Sequence, residues 1–220
     1  MKEAVRAVVF DLDGVLIDTE GLQYQAWIAA LAPLGVQLSR DAYLKMAGRQ
    51  GDIIAEELVA DLRLSTTAVA LLRNKTVELD RLLQSAPIEL LPFAVEAVTD
   101  LGSRMPLALA TGGSRSETRL KLDRVGLSAH FKVVVTRSDV TRGKPHPDVY
   151  ALAAERLAVP PRHCAAIEDT EYGVAAAKAA GLLCIAVPGE YSRRQDFSHA
   201  DRVAPTLQDA LRILAEQTSS

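Results

Sequence analysis

Two aspartates one residue apart follow a short apolar run in Val8-Val9-Phe10-Asp11-Leu12-Asp13-Gly14. Three later segments share that form, an aliphatic run ending in groups that can do chemistry. They are Thr111-Gly112-Gly113-Ser114-Arg115 after LALA, Arg142-Gly143-Lys144-Pro145 beyond VVV, and Glu168-Asp169-Thr170 after CAAI. If the runs are neighbouring strands, Asp11, Asp13, Glu168 and Asp169 share a partly desolvated cleft, where like charges raise one another's pKa. Lys144 alone cannot compensate them. A hard divalent cation can, and Mg²⁺ characteristically takes a couple of carboxylates, a carbonyl, waters and a phosphate oxygen. The glycines after Thr111 let main-chain N–H groups approach an anion at the start of a helix, whose dipole favours negative charge. Cation chemistry on one side and anion binding on the other are what phosphoryl transfer requires.

A sheet must bring these groups together. Aliphatic runs at 5–10, 107–110, 133–135, 165–167 and 183–187 are separated by helical patterns. Continuous runs of this kind predict an α/β fold, a doubly wound, Rossmann-like parallel sheet covered on both faces. Pro92 suits the first turn of a helix running to about Arg104, and Ser114 starts one that stops at Gly126. Gly181 ends a helix beginning near Tyr172, and a last helix runs from Thr206 to near Ala215. Ligands of such sheets bind beyond the carboxyl ends of the strands. Asp11 and Asp13, two apart on an extended segment, face the same way there, while Leu12 turns to the opposite side.

Residues 18–88 break the alternation. Helical segments near 20–33, 39–46, 51–62 and 65–84 carry apolar positions at three- and four-residue spacing, with no convincing strand among them. The stretch is too long for an ordinary crossover. It reads as an inserted α-helical cap subdomain over 18–88, with 1–17 and 89–220 forming the catalytic core. An insertion leaving after the first strand is placed to act as a lid over the ligand edge. Within it Asp18 reads as an N-cap, Trp27 as cap core and Lys75 as a residue of a solvated face.

The 220 residues suit one large domain or one domain with an insertion, and 49% hydrophobic content supports a substantial core. Aromatics make up 5%, so that core is mostly aliphatic. A net charge of −3 gives no electrostatic reason to expect nucleic acid. No apolar run approaches the roughly 18 residues of a membrane span, and the N-terminus makes a poor signal peptide. Cys164 and Cys184 read as buried thiols, which points to a reducing cytoplasm. The histidines at 130, 146, 163 and 199 have no metal-ligand spacing. The partner expected is a small phosphorylated molecule, with no nucleic acid and no membrane, bound by a monomer or weak homo-oligomer.

FDLDGVLIDTE, ATGGSR, GKPHPD and IEDTEYG resemble, in order, the four signatures of the haloacid dehalogenase superfamily of phosphohydrolases. The helical block resembles that of its small-cap branch, which includes β-phosphoglucomutase-like enzymes and phosphoglycolate-type phosphatases. The resemblance covers essentially the whole chain. It implies a Mg²⁺-dependent phosphatase acting on a small phosphomonoester through an aspartyl-phosphate. Asp11 would be the nucleophile and Asp13 the general acid and base. Asp11 and Asp169, with the main-chain carbonyl of Asp13, would hold Mg²⁺, and Glu168 would ligate it directly or support it from behind. Thr111 and the amide of Gly112 would bind phosphoryl oxygens, with Lys144 neutralising charge. The Lys144-Pro145 bond resembles one that is often cis in the family. Arg49, in AGRQGD, lies in a segment resembling the substrate-recognition loop; Arg115 either binds an anion or extends from the first turn of its helix. Two rivals remain. A β-phosphoglucomutase-type isomerase is weakened by Gln23, which stands where mutase-like sequences carry a histidine. A phospho-receiver domain would be about half as long, without the insertion or Asp13.

Overall fold

The run around Val8 forms β1 (Ala7–Phe10), whose four residues are all fully buried because layers cover both faces of the sheet. In this computed structural model, which describes residues 4–218, β1 lies centrally between β4 (Leu107–Ala110) and β6 (Cys164–Glu168). Beyond β4 lies β5 (Val133–Val135), and beyond β6 lie β7 (Leu183–Ala186) and β8 (Arg202–Val203). All five pairings are parallel, in the order β5-β4-β1-β6-β7-β8. The fold is therefore Rossmann-like α/β. After β5 the chain returns past β1 to start β6. The strand order reverses beside β1, and that switch point is where such sheets bind ligands.

Between strands run α5 (Ala94–Gly102), α6 (Arg115–Val125), α7 (Asp148–Leu157) and α8 (Glu171–Ala179), and α9 (Leu207–Thr218) follows β8. Ser114 caps α6 by accepting from Glu117 N, and Gly126 ends it in the left-handed conformation that a side chain disfavours (φ 73°). One face of the sheet is lined by small residues, Ala7, Ala108, Ala110, Ala166 and Ala186. They meet Ala153 and Ala154 of α7 and Ala176 and Ala177 of α8. Cys164 and Cys184 are buried free thiols in this face and pack as two more small side chains.

The chain divides into two compact units, residues up to Asp18 with those from Glu89 onward, and Thr19–Ile88. The second unit consists of α1 (Glu20–Leu31), α2 (Arg40–Leu44), α3 (Gly51–Asp61) and α4 (Ala68–Ser85). Ser39 and Thr67 cap α2 and α4. Helices α1 and α4 pack together and bury Trp27, Leu31, Leu71, Leu79 and Leu83. Trp27 is core, and Lys75 lies 5.7 Å over its ring while bonding Gln23, so neither is a freely solvated group.

The passage between units differs from the sequence reading. Asp18 is not an N-cap; it lies in β2 (Ile17–Asp18), which pairs antiparallel with β3 (Glu89–Leu90), and Thr19 holds the N-cap position of α1. Two-residue strands carry too little alternation to be seen in sequence. Strand β8 went unread for the same reason, being two exposed residues.

Candidate active site

The register of the sheet sets the site. Phe10 pairs with Leu109 on one side and Ile167 on the other, so Asp11, Thr111 and Glu168 emerge at one edge. Asp11 N donates to Ile167 O at 3.0 Å and Thr111 N to Val135 O at 3.0 Å, extending the ladder to the reactive residues themselves. Past Asp13 the chain turns sharply: Gly14 takes φ +81° and donates to Ile17 O at 2.9 Å. Leu12, fully buried, anchors the segment from its other side.

Lys144 reaches this edge from the loop after β5, across a cis Lys144-Pro145 peptide. Its ammonium donates to Asp11 Oδ1 at 2.6 Å and to Glu168 Oε1 at 2.5 Å, with all three side chains 9% exposed or less. Tyr150 of α7, fully buried, donates to the same Glu168 oxygen at 2.9 Å. The other oxygen, Oε2, accepts from Asp169 N at 2.9 Å and from Thr170 N and Oγ1 at 3.1 Å each. Glu168 is thus saturated with protein donors, as a fully buried carboxylate has to be. The fit is close: a Cβ at Gly173 would lie 1.7 Å from Oε1.

Burial pushes the Asp11 carboxyl up to about 7, against the pull of Lys144 and with the push of Glu168 and Asp13. Lys144 is itself held charged: burial disfavours the ammonium, but Asp11 and Glu168 outweigh it and raise its pKa. One lysine between two carboxylates leaves an excess negative charge, and Asp169 adds to it. Ligand oxygens of Asp11, Glu168 and Asp169 lie within 4.8 Å of one another, a cluster able to bind a metal ion. Gly14 shapes it, since a Cβ there would lie 2.1 Å from Asp169 Oδ2. Only a glycine lets that carboxylate rest against the main chain beside Asp13. All-oxygen donors of this kind suit a hard cation such as Mg²⁺.

Thr111 is buried, and its hydroxyl accepts from Gly113 N at 3.1 Å, which shapes the turn into α6. Gly112 is exposed with open space around its α-carbon, so its amide is approachable. Of the residues singled out in sequence, Asp11, Asp13, Thr111, Gly112, Lys144, Glu168 and Asp169 come together in the core unit. Arg49 lies in the helical unit, ion-paired with Glu57. Arg115 turns aside to pair with Asp139 at 2.7 Å, and His146 is exposed.

Sequence reasoning missed two groups. Tyr150 is one. Lys121 is the other, a second fully buried lysine, which donates to Asp13 Oδ1 at 2.7 Å and also bonds Glu117. Lys144 is therefore not the lone compensating cation. The signal was ambiguous, because Glu117 and Lys121 at i,i+4 read equally well as a solvated surface pair.

Residues 5–181 match the family model of haloacid dehalogenase-like hydrolases. Fructose-1-phosphate phosphatase YqaB of Escherichia coli (strain K12) is 32% identical over 187 residues, covering 85% of this chain and 98% of that protein. The phosphorylated carbohydrates phosphatase of Thermotoga maritima is 35% identical over 182 residues, covering 81% and 82%. CbbY from Rhodobacter sphaeroides, solved in complex with phosphate, is 31% identical with a TM-score of 0.80, covering 92% of this chain and 95% of that one.

Proposed function

The chain belongs to the haloacid dehalogenase-like hydrolase family, and we propose that it is a Mg²⁺-dependent phosphatase acting on a small phosphomonoester of the sugar-phosphate class. The observation that carries the reading is the Asp11 carboxylate, buried at the end of β1 and bonded to Lys144, with Asp13 two residues on and Asp169 beside it. The names of the relatives support the substrate class.

Asp11 attacks phosphorus; its new O–P bond forms as the bond to the leaving oxygen breaks, and Asp13 gives that oxygen a proton. Water then forms an O–P bond to the aspartyl-phosphate, the Asp11 O–P bond breaks, and Asp13 takes the water's proton. Thr111 and the Gly112 amide hold the phosphoryl oxygens, and Lys144 balances the charge on them and on Asp11. Asp11, Asp169 and the main-chain carbonyl of Asp13 would hold Mg²⁺, which would supply charge neutralisation to the phosphoryl group. Glu168, with five protein hydrogen bonds already made, anchors Lys144 and the start of α8 from behind the metal ligands. The helical unit acts as a substrate-selecting lid with Arg49 as a substrate contact. Support for the lid is topological: the chain leaves for that unit through β2, shortly after Asp11–Gly14, and returns through β3, the antiparallel partner of β2. Described residues include no helix long and apolar enough to cross a membrane, and the two thiols are free. Both fit a cytoplasmic location.

The test is phosphate release from a panel of sugar, nucleotide and short-acid phosphates with Mg²⁺. Sugar phosphates are expected to be hydrolysed fastest. No release from any phosphomonoester would overturn the reading. So would isomerisation of glucose phosphates, primed with a bisphosphate, that outpaces phosphate release.

A further inference from the structure

Lys121 has no task in the reaction just described, yet its placement is expensive. The side chain is 1% exposed on the inner face of α6, beside buried Thr118 and Leu122. A methionine or leucine there would spare the chain the desolvation of an ammonium. What the ammonium does is bridge. It donates to Asp13 Oδ1 at 2.7 Å and bonds Glu117 one helical turn away. Glu117 is fixed in turn, because its main-chain N–H donates to Ser114 Oγ at 3.2 Å, the cap of the helix that begins at the Thr111–Gly113 turn. One continuous set of bonds therefore joins the Asp13 carboxylate to the helix whose start binds phosphoryl oxygens.

We propose that Lys121, held by Glu117, is a positioning residue for proton transfer by Asp13, fixing its carboxylate relative to the phosphoryl-binding turn. The proposal rests on the acid–base role given to Asp13 above. Lys121 touches neither substrate nor metal ligand oxygen in this scheme; it acts by restricting the Asp13 side chain to one orientation. A loose Asp13 still meets the leaving oxygen and the attacking water, but in the correct geometry only a small fraction of the time.

The consequence depends on the leaving group. A hexose leaves as a poor alkoxide and needs the proton, whereas 4-nitrophenolate leaves without one. Lys121→Met is expected to lower kcat for the hexose phosphate hydrolysed fastest by about 100-fold, within the range of general acid–base catalysis, with KM changed less than about 3-fold. With 4-nitrophenyl phosphate the same variant is expected to show a burst of about one nitrophenolate per active site, then slow turnover, because water attack still needs Asp13 as base. Glu117→Gln with Lys121 in place, which keeps a hydrogen-bond acceptor for the lysine, is expected to retain most of the wild-type rate.

A hexose-phosphate kcat within about 3-fold of wild type, or an equal loss on both substrates without a burst, would overturn the assignment of Lys121. If Lys121→Met does not fold, Glu117→Ala loosens the same ammonium from a more exposed position. It must then show the same split between substrates, and equal behaviour on both would overturn the proposal. Asp13→Asn separates the two layers. Full turnover in that variant sinks the acid–base role and the proposal with it. An inactive Asp13→Asn beside a normal Lys121→Met sinks Lys121 alone.

Discussion

Gly173→Ala offers a test in which two ordinary rules pull in opposite directions. By helix propensity alone, alanine in the first turn of α8 should stabilise by at most about 1 kcal/mol. The packing opposes this: the new Cβ would lie 1.7 Å from Glu168 Oε1, 1.9 Å from Cδ and 2.2 Å from Oε2. No rotamer adjustment of a flexible tip can absorb this, because Lys144, Tyr150, Asp169 and Thr170 hold that carboxylate on both oxygens. Either the carboxylate leaves its partners or α8 moves away. Disrupting a buried ion pair costs about 3–5 kcal/mol, so the net expectation is a loss of about 2–4 kcal/mol. For a chain of this size that corresponds to a melting temperature lower by about 5–15 °C. Thermal unfolding followed by circular dichroism measures it, with Gly189→Ala as the control, since a Cβ at Gly189 meets nothing within 4 Å. A Gly173→Ala protein as stable as wild type would refute the argument that the Glu168 carboxylate occupies that space.

Three further outcomes are expected. Asp11→Asn should abolish turnover while leaving the circular dichroism spectrum unchanged; retained phosphate release would remove Asp11 as nucleophile. Excess chelator should stop phosphate release and added Mg²⁺ should restore it, so an undiminished rate in chelator would take the metal out of the mechanism. Asp139 should govern part of the acid stability. Burial raises its carboxyl, but hydrogen bonds from Thr136 and Arg156 and the charge of Arg115 outweigh that and hold it at about 2, below the ordinary 3.8. A depressed pKa contributes stability that is present above about pH 4 and lost as pH falls through about 2. With Arg115 and Arg156 largely solvated, the contribution is about 1 kcal/mol. Asp139→Asn should therefore be less stable at pH 7 and converge on wild type only below about pH 2; equal denaturation midpoints at pH 7 would contradict this.

The strands that carry the site were readable because each is a continuous aliphatic run, and a run buried on both faces leaves no ambiguity of facing. The residues at their ends stood out for the converse reason: Asp11, Asp13, Glu168 and Asp169 are charges where apolar side chains are expected. Lys121 and Tyr150 gave no such contrast. A lysine four residues after a glutamate, and a tyrosine in a mixed helical stretch, look the same whether the helix face meets water or a buried carboxylate. That distinction depends on which neighbour packs against the helix, and it is a property of the tertiary structure. The Gly14 and Gly173 contacts were hidden for a related reason: a missing Cβ has meaning only once Asp169 and Glu168 fill its place.

The pairing of β2 with β3 has a consequence for how this chain can be rebuilt. Asp18 and Glu89 are register partners, so the two ends of the 19–88 insertion are adjacent across one rung of an antiparallel ribbon. A two-residue turn would close that ribbon as an ordinary hairpin. By loop-closure entropy, a turn of that size and an excursion of roughly 70 residues differ by only about 3 kcal/mol. The closure cost at this rung thus grows only slowly with the length of what is spliced in. A foreign module with adjacent ends could be grafted there, or the insertion cut out, with the strand ladder beneath left in register.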